Sequence, residues 1–126
     1  YRKMLGGGMR QAGVIAAPGI IAIEKMVERL KDDHANAQLL AKGLSSIEGV
    51  TLDMSRVQTN IVLYDVSRLK VDAMGWVARL NEYGVKAGAH EAGHVRMVTH
   101  RGIEKDDIEY ALSVAEKVAK QIGGIQ

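Results

Sequence analysis

A run of three glycines between two cations near the N-terminus most constrains the fold of this chain. Gly6, Gly7 and Gly8 lie between Lys3 and Arg10. Glycine loses more backbone entropy on folding than any other residue, so this run is typical of a tight turn or a close approach of the backbone. The tract that follows has an apolar, helical pattern. Backbone N–H groups at the start of a helix, with two cations beside them, favour binding of an anion.

The glycine run has a second interpretation, a flexible hinge with solvated cations. Three consecutive glycines do not have the spacing of a known phosphate-binding loop. Lys3 and Arg10 are therefore candidate anion-binding residues, and their pattern alone leaves both interpretations open.

The composition fits a globular fold that carries charges of both signs. The chain has 126 residues, of which 47% are hydrophobic, and its formal net charge is +2. That length and apolar content are sufficient for a core of its own. Because the charges are interspersed, there is no basic field of the size that nucleic-acid binding requires. We therefore expect no nucleic-acid partner.

The chain contains no cysteine. This excludes a disulfide framework, a thiolate metal site and a cysteine nucleophile. No apolar run has the length of a membrane span, and the N-terminus does not have the pattern of a signal peptide. We expect a cytoplasmic protein with no membrane partner. The chain starts at Tyr1 with its most suggestive loop in the first ten residues, which predicts a portion of a longer protein.

Hydrophobic periodicity predicts helices that alternate with short strands. The first helical tract covers residues 11–44, with Pro18 as a kink or a new turn and a second interruption at residues 25–28. In this tract we expect Asp33 at the surface, and His34 as a core-edge or capping residue instead of a metal ligand. Further helices are predicted at residues 71–83, with Gly84 as the C-cap, and at residues 104–122. Strands are predicted at residues 50–52, 59–66, 85–87 and 94–99.

This order predicts an α+β fold. A short, mostly antiparallel sheet is covered on one face by helices, and a long interrupted helix precedes it. The last predicted helix has the clearest amphipathic pattern. Its apolar stripe consists of Ile108, Ala111, Leu112, Ala115, Val118, Ala119 and Ile122.

Residues 90–94 match the zinc-protease pattern H-E-x-x-H. His90 and His94 have the ligand spacing, Glu91 has the position of the general base, and His100 lies six residues beyond His94. That chemistry requires a helix, so that both histidines reach one metal ion. Gly93 and the strand-like alternation after it argue against a helix. We therefore reject the zinc site and predict a polar loop that precedes a strand.

Arg96 lies within the last predicted strand, between Val95 and Val98. A charge embedded in an apolar strand needs a partner. The guanidinium group suits a carboxylate in a two-point contact. Either a bound carboxylate or a structural salt bridge to an acidic side chain satisfies this requirement, and the residues leave both open.

Several segments resemble the threonine aldolases, which are pyridoxal-phosphate-dependent lyases of the type I, aspartate-aminotransferase-like fold. Residues 2–11, RKMLGGGMRQ, resemble the signature loop of that family. Residues 29–37 resemble its second helix, residues 59–62 its next strand, and residues 95–100, VRMVTH, its late strand. The resemblance covers nearly the whole chain, and its first and last segments are specific.

The resemblance implies that the chain is the C-terminal portion of such an enzyme. Residues 1–25 would be a glycine-rich loop and connecting helix from the large domain, and residues 26–126 the small domain. The family cleaves L-threonine or L-allo-threonine to glycine and acetaldehyde. Arg96 would bind the substrate carboxylate, and Lys3 and Arg10 would line the site of pyridoxal 5'-phosphate. The partners would be the large domain of the same enzyme and other subunits of a homotetramer.

The resemblance also implies what this chain would lack. The Schiff-base lysine of the family lies upstream of the glycine loop, so we expect no catalytic residue and no metal ligand here. We also expect the isolated chain to be inactive. Two alternatives remain: another pyridoxal-phosphate-dependent lyase of β-hydroxy amino acids, of the phenylserine or hydroxyaspartate type, and a non-catalytic oligomerisation module.

Overall fold

The computed structural model describes residues 1–91 and 93–123. The chain divides into two compact units, Tyr1–Leu30 and a second unit from Lys31 onward. None of the described helices combines the length and the apolar character that crossing a bilayer requires.

The first unit contains a glycine-rich turn region and one helix, α1, at Gly13–Lys25. The helix begins after a turn at residues 10–12, slightly later than predicted. It continues through Pro18, so no new turn begins there, and the alternative of a kink stays a prediction. Proline removes a single N–H donor, and the helical bonds on either side of it maintain the helix. The predicted interruption at residues 25–28 is confirmed, because the next helix begins only at Leu30.

The second unit places a three-stranded antiparallel sheet against helices. The strand order is β1-β3-β2, and both pairings are antiparallel. This confirms the predicted α+β class and the mostly antiparallel sheet. The elements are α2 Leu30–Ser45, a 3-10 turn Met54–Arg56, β1 Ile61–Asp65, α3 Ala73–Glu82, β2 Gly88–Ala89, β3 His94–Val98 and α4 Lys105–Gly123.

Two short strands differ from their predictions. Residues 50–52 form no strand; Thr51 makes an isolated bridge to Asp65, with N···O distances of 2.9 and 2.7 Å. The second strand lies at Gly88–Ala89 instead of residues 85–87. The reason is that Val85 N donates to Leu80 O at 3.1 Å, so Val85 still belongs to the end of α3. The C-cap of this helix is Tyr83 and not Gly84 as predicted; Gly84 follows it with φ +78° and turns the chain away from the helix axis.

The core lies between the covered face of the sheet and the helices. Val62, Tyr64, Val95 and Met97 point inward and are buried. Trp76 of α3 is fully buried, and its Nε1 donates to the Tyr64 hydroxyl at 2.9 Å. The predicted stripe of α4 is confirmed, except that Leu112 is only partly buried. Both polar atoms are buried, and because they bond to each other, neither is left without a hydrogen-bond partner.

Asp33 departs from its prediction. It was expected at the surface, but it is 4% exposed. Its backbone oxygen accepts a hydrogen bond of 2.7 Å from the buried hydroxyl of Thr99, just beyond β3. This contact turns the Asp33 side of α2 towards the sheet. His34, which follows it, is half-buried at the edge of the core as predicted.

Candidate functional site

One face of the sheet is not covered by the helices of the second unit. Successive side chains of a strand point to opposite faces of the sheet. The residues that precede and follow each buried residue in β1 and β3 therefore point away from the helices. The exposed face of β3 carries His94, Arg96 and Val98, between the buried Val95 and Met97. In register across this face lie the pairs Ile61–Val98, Leu63–Arg96 and Asp65–His94. We call this surface the open face.

Arg96 lies at the centre of the open face. It is opposite Leu63 on β1 and opposite Gly88 on β2. Its side chain is exposed, and among residues 1–91 and 93–123 it makes no hydrogen bond and no ion pair. The expectation that this charge is embedded in an apolar environment is therefore wrong, because alternation directs it to the open face. A structural salt bridge is not formed within the described chain.

Gly88 contributes to the accessibility of Arg96. A residue directly opposite on a neighbouring strand normally places its Cβ about 4.5–5.5 Å away, where it can cover its partner. Glycine has no side chain, so β2 leaves that side of Arg96 uncovered. The guanidinium group can therefore accept an external carboxylate in a two-point contact.

An aspartate and a histidine adjoin Arg96 on the open face. Asp65 Oδ2 lies 3.7 Å from His94 Nδ1, an ion-pair distance when the imidazole is protonated. The same carboxylate accepts hydrogen bonds from Ser67 N at 2.8 Å and Ser67 Oγ at 3.0 Å. Gly93 has φ +82°, and a Cβ there would collide with Ser67 Oγ. This packed turn fixes the Asp65 carboxylate beside His94.

Sequence reasoning did not find this pair. Asp65 and His94 belong to different strands, and only the antiparallel register brings them together. One signal was present in the sequence: His94 lies two residues before Arg96, so both share one face of a strand.

A cleft adjoins the open face along β1, which we call the β1 cleft. Its volume is about 570 Å³. On the side of the sheet its wall consists of Ile61, Leu63, Tyr64, Asp65 and His94. The opposite wall comes from the segment that includes Asp53 and Arg56. The open face therefore continues from Arg96 into a concave surface.

The H-E-x-x-H residues lie in a turn and a strand. His90 follows β2, and His94 is the first residue of β3. His90 N donates to His94 O at 2.8 Å, as in a tight connection between strands. The predicted polar loop before a strand is thus confirmed, although Ala92 lies outside the described residues. Among the residues that the structure describes, no three metal-ligating side chains are grouped to hold an ion.

The backbone N–H groups of the three glycines donate hydrogen bonds within the glycine loop itself. Gly6 N donates to Lys3 O at 3.2 Å, Gly7 N to Arg2 O at 2.8 Å, and Gly8 N to Gly6 O at 2.9 Å. These three N–H groups are therefore already satisfied by the loop. An anion at this loop would interact with side-chain cations more than with the glycine amides.

The start of α1 offers further donors. Ala12, the N-cap residue, supplies no side-chain cap. Within the described ranges, the N–H groups of residues 11–13 have no acceptor. Arg10 precedes these donors directly, and both Arg10 and Lys3 are exposed. Unsatisfied N–H groups at a helix start, with a neighbouring cation, are suited to an anion such as a phosphate. Lys3 and Arg10 belong to the first unit, and Arg96 to the second.

Comparison with known proteins identifies relatives over most of the chain. The probable low-specificity L-threonine aldolase 2 of Arabidopsis thaliana is 39% identical over 118 residues, which cover 93% of this chain and 33% of that protein. The low specificity L-threonine aldolase of Escherichia coli K12 is 34% identical over 108 residues, which cover 86% of this chain and 30% of that protein. The chain thus spans about a third of the length of these curated relatives.

The fold has a counterpart among solved structures. The structure of MppP soaked with the product 2-ketoarginine matches 79% of this chain and 30% of that chain, with a TM-score of 0.62 and 14% sequence identity. At this identity the match concerns the fold alone. A model of the beta-eliminating lyase family matches residues 1–67, which is more than half of the chain. The chain therefore belongs to the beta-eliminating lyase family.

Proposed function

We propose that this chain is part of a pyridoxal-phosphate-dependent aldolase that cleaves L-threonine and L-allo-threonine to glycine and acetaldehyde. The names of the curated relatives support this reaction. The observation that carries the proposal is Arg96, an exposed guanidinium without a partner in the described chain, at the centre of the open face.

Arg96 binds the carboxylate of the substrate in this proposal. Two parallel N–H···O contacts fix both the position and the plane of a carboxylate. Because β3 is the central strand, its backbone is bonded to a neighbour on each side, which gives the side chain a rigid base. Fixing the carboxylate restricts rotation of the substrate and holds the bond to be broken in one orientation.

Lys3 and Arg10 contribute to the cofactor site. The exposed cations and the unsatisfied N–H groups of residues 11–13 fit a phosphate group in charge and in hydrogen bonding. Pyridoxal phosphate, when bound, supplies an electron sink for cleavage of the bond between Cα and Cβ. This chain supplies charge and positioning for that chemistry, and the covalent lysine lies upstream of the glycine loop.

The proposal includes the organisation of the whole enzyme. Residues 1–25 connect to the large domain, and residues 26–126 form the small domain of a homotetramer. All of α1 is exposed within the described chain, although it is rich in apolar residues such as Ile15, Ile20 and Ile23. An apolar helix of this kind is normally covered in the folded protein. We therefore expect the isolated chain to have no aldolase activity.

The direct test is an assay of the full-length protein. Purified enzyme is incubated with L-threonine, with and without pyridoxal phosphate, and acetaldehyde release is followed. Cofactor-dependent acetaldehyde release supports the proposal. If cofactor-loaded enzyme releases no acetaldehyde from L-threonine or L-allo-threonine, the proposed reaction is wrong.

A further inference from the structure

We infer that His94, held beside Asp65, contacts the β-substituent of the substrate and determines how well the enzyme accepts an aromatic one. This inference rests on the proposed function, because it takes the carboxylate at Arg96 as its fixed point. It assigns a specificity role to a residue that stands out in the sequence only through the rejected metal motif and its place on the same strand face as Arg96.

His94 lies beside Arg96 on the open face. The two residues are separated by one buried residue, Val95, so their Cα atoms are roughly 6.6 Å apart at about 3.3 Å per residue. A β-hydroxy amino acid bound through its carboxylate at Arg96 carries its β-substituent a few bonds away from that contact. The methyl group of threonine ends close to the carboxylate. A phenyl ring extends several bond lengths further and can span the distance to His94.

The β1 cleft runs along β1 past Ile61, Leu63 and Asp65, and among the described residues of β3 only His94 lines it. Leu63, Asp65 and His94 together line the β1 cleft of about 570 Å³. On the side of β2, Gly88 presents no side chain that could form a wall. A bulky substituent therefore finds a concave, partly apolar surface over Leu63, bounded by the imidazole of His94.

The imidazole suits an aromatic substituent because it is flat and held in place. Its side chain is 42% exposed, so part of the ring can be contacted from outside the described chain. Asp65 Oδ2 lies 3.7 Å from Nδ1, and Ser67 fixes that carboxylate through two hydrogen bonds. Aromatic rings gain from such offset or edge contacts beyond the area that they bury. Asp65 is thus a positioning residue for the His94 ring.

The chain offers a matched control for this inference. Val98 lies two residues beyond Arg96 on the same face, at the same distance along β3 as His94 but in the opposite direction. Each substitution, His94→Ala and Val98→Ala, shortens one neighbour of Arg96. Of these two residues, only His94 lines the β1 cleft; Val98 does not, although its partner Ile61 does.

The test compares two substrates in the full-length enzyme. The ratio of kcat/KM for L-phenylserine to kcat/KM for L-threonine does not depend on how much of a variant is folded. We expect His94→Ala to lower this ratio about three- to tenfold, and His94→Phe, which restores a flat ring, to recover most of it. Asp65→Asn should lower the ratio less. Val98→Ala should leave it within about twofold, because no contact with the ring is lost there.

Each outcome decides a different claim. An unchanged ratio in His94→Ala, or an equal change in Val98→Ala, overturns the inference. So does a wild-type enzyme that cleaves threonine and not phenylserine, although the proposed function then stands. Wild-type enzyme that cleaves neither substrate overturns the proposed function itself.

Discussion

Leu63 and Arg96 face each other across the antiparallel register of β1 and β3, on the side of the sheet that the helices leave open. Their neighbours in the same strands, Val62 and Met97, also pair with each other, but on the buried side. One register thus builds both surfaces: a core that fixes the sheet, and an open face with a cation at its centre.

The two cations of the first unit should hold the cofactor phosphate. Arg10→Gln and Lys3→Gln in the full-length enzyme should each weaken binding of pyridoxal phosphate by about 1.5–3 kcal/mol, because each removes a charged hydrogen bond. The dissociation constant is measured by titrating the apoenzyme with the cofactor. Lys25→Gln, at the far end of α1, serves as the control and should have little effect. Equal affinities for all three variants and wild type would contradict the assignment.

Gly93 should be more sensitive to substitution than Gly102. Both have a positive φ, +82° and +90°, so alanine at either position costs about 1–2 kcal/mol of backbone strain. Only at Gly93 would the new Cβ also collide with Ser67 and approach Asp65 Oδ2 at 3.1 Å; nothing lies within 4 Å at Gly102. Urea unfolding should show a larger loss of stability for Gly93→Ala. Equal losses would mean that the turn beside His94 is not tightly packed.

Tyr64 should make stability fall at alkaline pH. Burial raises the pKa of its hydroxyl far above the ordinary value. Below about pH 10 the phenol is neutral in both states, and its contribution to stability is complete. At higher pH the unfolded chain ionises and the folded one does not, so stability decreases by about 1.4 kcal/mol per pH unit.

Tyr64→Phe is the control for this pH dependence. It cannot ionise, so urea unfolding between about pH 9 and pH 11.5 should show a shallower decline for this variant than for wild type. Parallel declines would show that Tyr64 ionises as easily in the folded state as in the unfolded one. The variant should also be less stable at neutral pH by about 1–3 kcal/mol, since Trp76 Nε1 loses its acceptor.

The sequence alone predicts those helices and strands whose residues show a hydrophobic period, either helical or alternating. The stripe of α4 and the alternation of β3 predict both elements nearly to the residue. It does not predict an element that exists only through hydrogen bonding to a neighbouring strand. Gly88–Ala89 is a strand only because β3 lies beside it. The same holds for Asp65 and His94, which only the register joins.

The alternation of side chains along β3 explains why the expectation of an embedded Arg96 is wrong. Arg96 was correctly placed in a strand, and the alternation of Val95, Arg96 and Met97 already fixed its face. A strand that is apolar on both sides would require a partner for this charge. In a sheet covered on one face only, a cation on the other face needs no partner for stability.

The central claim is tested most directly by Arg96→Lys in the full-length enzyme, with L-threonine kinetics followed by acetaldehyde release. Arg101→Lys, an exposed arginine beyond β3, is the matched control. Loss of a two-point carboxylate contact should cost about 1.5–3 kcal/mol, roughly a 10- to 150-fold fall in kcat/KM, with the absorbance of the bound cofactor unchanged. If Arg96→Lys retains wild-type kinetics, Arg96 does not bind the substrate carboxylate.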